Sequence, residues 1–312
     1  MIGRRSLLIG LAAAAGGLFL VRDRLPWPPL AIRFANGRDT PWLAIPPGGL
    51  MEIEAAVNGH LIHAVVDSGA QFSAIDRTLA ERLDLPRTVA APLLAYGVSG
   101  APALTHTVRL DLAVPGLAVP GLRAAALDLA PIAQATGRVF QLLIGRDVLS
   151  RLVVEADFPR RRTRFLAADA YSPPPDARTV ALEVSGAGPM ATVQVENAPP
   201  LKVLVDTGAA GVLALSENAA QQAGLLAPGR KVSRAHSVSL GGLSLDRRVT
   251  ARTVAVGDLV LRNVDVQVYR PAANAPAPSG LLGAGLFSRF RMALDLGAER
   301  LHLVPPSPMI IR

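Results

Sequence analysis

Apolar and polar positions divide this chain into short strands separated by turn residues. Residues 50–57 are largely apolar, Asn58-Gly59 follows, and the apolar pattern resumes over 61–66. Asn-Gly between two such runs is the strongest short-range hairpin signal, because both residues tolerate positive φ. Residues 191–195 and 201–205 bracket Asn197-Ala198-Pro199-Pro200 in the same way. Two further hairpins are expected, 152–158 with 163–166 and 291–296 with 300–304. Helices are few and short. One is expected over 76–83 with Asp76 as N-cap, another from Ser216 to near Gly224, a cap residue at its start and Gly at its end. The fold class is mostly β.

The pattern also repeats. Val65-Val66-Asp67-Ser68-Gly69-Ala70 returns as Leu204-Val205-Asp206-Thr207-Gly208-Ala209, 139 positions later. Leu143-Ile144-Gly145 returns as Leu281-Leu282-Gly283, Ser150-Arg151 as Ser288-Arg289, and Ala156-Asp157-Phe158 as Leu294-Asp295-Leu296, each 138 positions on. Matching order at a nearly constant offset means a tandem duplication. The expected division is a signal or anchor segment (1–25), a linker or leading strand (26–44), a first lobe (45–170), a linker (171–177), a second lobe (178–306) and a tail (307–312). Ser172-Pro173-Pro174-Pro175-Asp176 is stiff enough to separate the copies.

Composition narrows the chemistry. Half of the 312 residues are apolar, enough for a core, and Gly and Pro are abundant. The absence of Cys excludes disulfides, thiolate zinc sites and a Cys nucleophile. The net charge of +8 is carried almost wholly by Arg, since Lys202 and Lys231 are the only Lys. Aromatics are 4%, too few for a base-stacking platform, so nucleic acid is not an expected partner.

The N-terminus reads as an export signal. Arg4-Arg5-Ser6-Leu7-Leu8 resembles a twin-arginine motif, and residues 7–21 carry no charge. That run is shorter than the ~20 residues of a spanning helix. Ala12 and Ala14 have cleavage-site spacing but lie inside the run, so cleavage and retention as a membrane tether both stay open. Either outcome puts the body outside the cytoplasm, in a periplasm if the source has one.

Each Asp-(Ser/Thr)-Gly-Ala follows an apolar strand, so the strand end presents a carboxylate and the Gly N–H can bond it. One such tetrapeptide is weak; two at matching places of a duplication are strong. Residues 45–306 resemble the pepsin-like and retropepsin-like aspartic proteases in these two loops, in the later apolar-apolar-Gly of each half and in the closing apolar-Asp hairpins. Each half is of retropepsin size. The resemblance implies a two-lobed, mostly β fold with a cleft between the lobes, and Asp67 and Asp206 as the catalytic pair. Ser68, Gly69, Thr207 and Gly208 would support the loops, with each hydroxyl crossing to the other copy. It implies a peptide or unfolded protein as substrate and no cofactor or metal. Tyr96-Gly97-Val98-Ser99-Gly100 resembles a flap turn with one extra residue, so Tyr96 is a flap candidate; residues 237–242 are its counterpart. Ala70 and Ala209 stand where a Ser or Thr could donate to the pair, which implies raised carboxyl pKa values and a mildly acidic to neutral optimum.

Other readings are weaker. A non-catalytic peptide-binding protein on the same fold is the alternative. His60 and His63 lie three apart on a strand and point to opposite faces, which disfavours a metal site with Asp67. Gly283-Ala284-Gly285 lacks the third Gly of a dinucleotide loop. No Gly-x-Ser-x-Gly elbow occurs. Asp157 and Asp295 are expected to be structural, and the run 160–164 to be a solvated hairpin tip.

Overall fold

Asn58 and Gly59 both adopt positive φ, 48° and 82°, so the dipeptide makes the tight turn its composition demands. It joins the first of many paired strands in a computed structural model that describes residues 10–11, 30–35, 37–88, 93–95, 103–239, 242–271 and 277–305.

The first half contains β1 (Gly10–Leu11), β2 (Arg33–Phe34), β3 (Leu43–Ala44), β4 (Glu52–Val57), β5 (His60–Val66) and β6 (Ala74–Asp76). These are followed by α1 (Arg77–Arg82), β7 (Leu93–Ala95), β8 (Ala103–Thr105), β9 (Thr107–Val114), β10 (Leu117–Leu127) and α2 (Ala130–Thr136). It closes with β11 (Leu142–Ile144), α3 (Arg146–Leu149), β12 (Leu152–Asp157) and β13 (Arg162–Ala167). The second half repeats the plan with β14 (Arg178–Ser185), β15 (Gly188–Val195), β16 (Leu201–Asp206), β17 (Leu213–Ser216), α4 (Glu217–Gln222) and β18 (Val232–Ser239). It ends with β19 (Gly242–Val256), β20 (Leu259–Tyr269), β21 (Gly280–Gly283), α5 (Ala284–Phe287), β22 (Arg291–Asp295) and β23 (Arg300–Val304).

In the first lobe the strands run β10-β6-β11-β5-β4-β9, and β9 pairs again with β10, closing the ladder on itself. The second lobe runs β19-β20-β17-β21-β16-β15, and β15 pairs with β19 to the same effect. Strand alternation fills each interior: along β9, Val108, Leu110, Leu112 and Val114 are buried while Arg109, Asp111 and Ala113 are exposed.

The lobes join through backbone. Strand β12 pairs antiparallel with β22, from Val153 opposite Asp295 to Asp157 opposite Arg291. Around them β14, β23, β22, β12, β13 and β3 form the interlobe part of a continuous 14-stranded sheet. Glu155 is fully buried there, its Oε2 accepting from Arg164 Nε at 2.7 Å and its Oε1 from Arg291 Nε at 2.6 Å.

The structure corrects the reading of the Arg run. Arg160 and Arg161 do form the hairpin tip, but Arg162 and Arg164 belong to β13, their guanidinium carbons 4.3 and 4.7 Å from the Trp42 ring centroid. Arg164 also pairs with Asp39 at 2.9 Å. The ring and the carboxylates draw these side chains onto the sheet rather than into water.

Of residues 7–21 only Gly10 and Leu11 are described; they lie parallel to β18, Gly10 opposite Ser237. Among the described residues no helix is long and apolar enough to cross a membrane.

Candidate active site

Strand β5 delivers Asp67 and strand β16 delivers Asp206, and the flanking strands fix both backbones. The Asp67 N–H donates to Ile144 O at 2.9 Å, and Asp206 lies opposite Gly283 in a parallel ladder. The glycines that follow β11 and end β21 permit this closeness. A Cβ on Gly145 would meet the Phe72 carbonyl carbon at 2.5 Å, and one on Gly283 would meet Ala209 O at 2.4 Å. The Gly of each apolar-apolar-Gly motif is therefore required by the passing Asp loop, which also accounts for Gly283 without a dinucleotide.

The two loops grip each other across the lobes. Ser68 N–H donates to Thr207 Oγ1 at 2.9 Å, and Thr207 N–H donates to Ser68 Oγ at 3.0 Å. Each hydroxyl in turn donates to a carbonyl of the opposite lobe, Ser68 Oγ to Val205 O at 2.8 Å and Thr207 Oγ1 to Val66 O at 2.7 Å. Both side chains are buried, so this four-bond ring works without competition from water.

The carboxyls are held alike. Asp67 Oδ1 accepts from Gly69 N at 2.9 Å and Ala70 N at 3.1 Å. Asp206 Oδ1 accepts from Gly208 N and Ala209 N at the same two distances. The Oδ2 atoms of both are buried and have no hydrogen-bond partner among the described residues. Burial pushes both carboxyls above the ordinary carboxylate range. Asp206 goes further because the Asp67 charge adds to its burial; the Ala70 N–H, the Asp206 side chain, the Gly69 N–H and the Arg146 cation restrain Asp67. The charge of Asp67 raises the cost of ionising Asp206, so the two carboxyls cannot cheaply both ionise.

The family model for aspartyl proteases matches residues 53–148 and, a second time, 191–286, together more than half of the chain. The chain belongs to the aspartyl protease family. No curated protein matches it. Each match contains one Asp loop and the Gly-containing strand end beneath it, so this aspartyl protease carries two copies of the family's domain in one polypeptide.

The structure thus brings together Asp67, Ser68, Gly69, Asp206, Thr207 and Gly208. Tyr96 lies outside the described residues. Its counterpart region is the β18–β19 hairpin, described up to Ser239 and again from Gly242. His60 and His63 are both exposed on β5, and His63 faces Glu52 at 3.5 Å rather than Asp67. Asp157 accepts from Arg160 N at 3.2 Å and Asp295 from Ala298 N at 2.8 Å, so both tie hairpin turns.

Sequence reasoning passed over Arg146. Its N–H donates to Ala70 O at 2.9 Å, and its buried guanidinium reaches the carbonyls of Ala70, Ser185 and Gly186 at 3.4–3.5 Å. The signal was present: Ala284 stands at the matching place of the second copy, so the duplication leaves one cation beside one of its two Asp loops.

Proposed function

We propose that this aspartyl protease is an endopeptidase in which Asp67 and Asp206 share one proton and activate water. What carries the reading is the arrangement of the two carboxyls. Each Oδ1 is fixed by two backbone N–H groups, each Oδ2 is left without a protein partner among the described residues, and the loops are locked by reciprocal hydroxyl bonds. The ionised carboxyl takes a proton from water as the water oxygen attacks the peptide carbonyl carbon. The protonated carboxyl donates to the carbonyl oxygen. Collapse of the gem-diol breaks the C–N bond, the pair protonates the leaving amine, and the shared-proton state returns.

Raised carboxyl affinities for protons move the acid limb of activity upward, so activity is greatest at mildly acidic to neutral pH. The test is digestion of an unfolded protein from pH 3 to 8 by wild type, Asp67→Ala and Asp206→Ala. Either change is expected to lower the rate at least about a hundredfold, the lower end of what positioned acid–base groups contribute. Cleavage that survives either change would overturn the shared pair. Maximal activity below about pH 3.5, under the reference carboxylate value, would overturn the pH reading. A folded wild type that binds peptides and cleaves none would be a binding protein on this fold. Export by the twin-arginine-like segment, with residues 7–21 as signal or tether, belongs to the same proposal and is supported by the sequence alone.

A further inference from the structure

We propose that the seam between the lobes holds a binding pocket for a phosphorylated small molecule with an apolar body. A cavity of about 470 Å³ opens beside α3, lined by Arg109 of β9, Arg123 of β10, Arg146 of α3, and Arg151, with Asp147 as its one carboxylate. That leaves a formal excess of three positive charges around a space the size of a small-molecule site. Asp147 Oδ1 is held within the protein, accepting from Ser73 N at 3.0 Å, Ser73 Oγ at 2.9 Å and Val148 N at 3.1 Å. Arg109 and Arg151 are exposed and have no acidic partner among the described residues.

A second observation points inward. Gln71 lines the same cavity, and its Oε1 is buried without a hydrogen-bond partner among the described residues. A buried amide oxygen without a partner is costly, and a ligand hydroxyl would satisfy it. Guanidinium forks suit a dianionic phosphoryl group, whose oxygens can take paired N–H donors. Phosphate alone would fill little of the cavity, whose remaining wall includes Phe72, Leu122, Val184 and Leu296. An apolar body attached to the phosphate accounts for that wall. The second lobe has no such chemistry, since Ala284 and Gly285 replace Arg146 and Asp147.

The pocket adjoins the dyad loop. Arg146 donates to Ala70 O, and the Ala70 N–H donates to Asp67 Oδ1. A ligand that engages Arg146 thus sits two hydrogen bonds from the dyad, and its binding does not require the dyad to work.

Calorimetric titration of the full chain with hexyl phosphate tests this, with inorganic phosphate and hexanol as comparators. Saturable binding with Kd below ~1 mM is expected, and at least about tenfold weaker binding of both comparators. Arg109→Ala/Arg151→Ala and, separately, Gln71→Leu should weaken hexyl phosphate at least about tenfold while unfolding at temperatures near wild type. Asp206→Asn should bind it as wild type does, so a failure of the protease reading leaves this result intact. No saturation up to ~10 mM, equal affinity for inorganic phosphate, or unchanged affinity in the double variant would overturn the pocket. So would binding to phosphatidylglycerol vesicles without binding to hexyl phosphate, which would assign the Arg cluster to a membrane surface.

Discussion

Asparagine at position 206 keeps the shape of Asp206 and removes its charge. Its amide oxygen can accept from Gly208 N and Ala209 N as Oδ1 does now, leaving the NH2 group to face Asp67. Asp206 has a raised pKa in the fold, so its contribution to stability is full below the unfolded value and is lost as pH rises through the folded one. Wild type should therefore lose thermal stability as pH rises above the ordinary carboxylate range, and Asp206→Asn should lose less. Melting temperatures of both from pH 4 to 8 check this; parallel curves would refute it. At this scale the Asp loops are legible because a repeated tetrapeptide marks them. Arg146 and Glu155 were not. Their roles depend on which strands from the far half come near, and local pattern carries no such information. A charge within the otherwise apolar 152–156 was the one sign of Glu155.

The helix caps read from sequence sit where expected and differ in weight. Asp76 Oδ1 accepts from Leu79 N at 3.1 Å, and its Oδ2 accepts from Leu129 N at 3.3 Å, beside the start of α2. Ser216 Oγ accepts only from Ala219 N, at 3.2 Å, among its bonds to α4. Asp76→Ala should cost about 2 kcal/mol and Ser216→Ala about 1 kcal/mol, the upper and middle of the range for cap removal. Urea unfolding midpoints give the comparison, and a costlier Ser216→Ala would contradict it. Hairpins, caps and terminal Gly residues were legible because each is set by neighbours in sequence. The closure of each lobe's ladder and the packing of Arg162 on Trp42 were not, since both depend on residues over a hundred positions or several strands away.

The whole molecule depends on the ladder between β12 and β22. Glu155 lies within it, paired with Arg164 of its own lobe and Arg291 of the other. Glu155→Gln leaves two guanidiniums facing a neutral amide. Both reach solvent, so the cost should be about 2 kcal/mol, below the 3–5 kcal/mol of a fully enclosed pair. Chemical denaturation measures it, and a neutral effect would show that the Glu155 ion pairs add nothing to the seam. The two-lobed plan itself was legible from the offset repeat, whereas the identity of the joining strands was not.

Glu155 stands directly opposite Ala293, its own counterpart in the duplication. An exact pair of first lobes would set Glu155 against Glu155, with Val153 in place of the Arg291 that now compensates it. Like charges directly across a ladder repel. A first half set against another first half would carry that repulsion at its axis, whereas the unlike copy relieves it by placing Ala293 opposite Glu155 and Arg291 beside it.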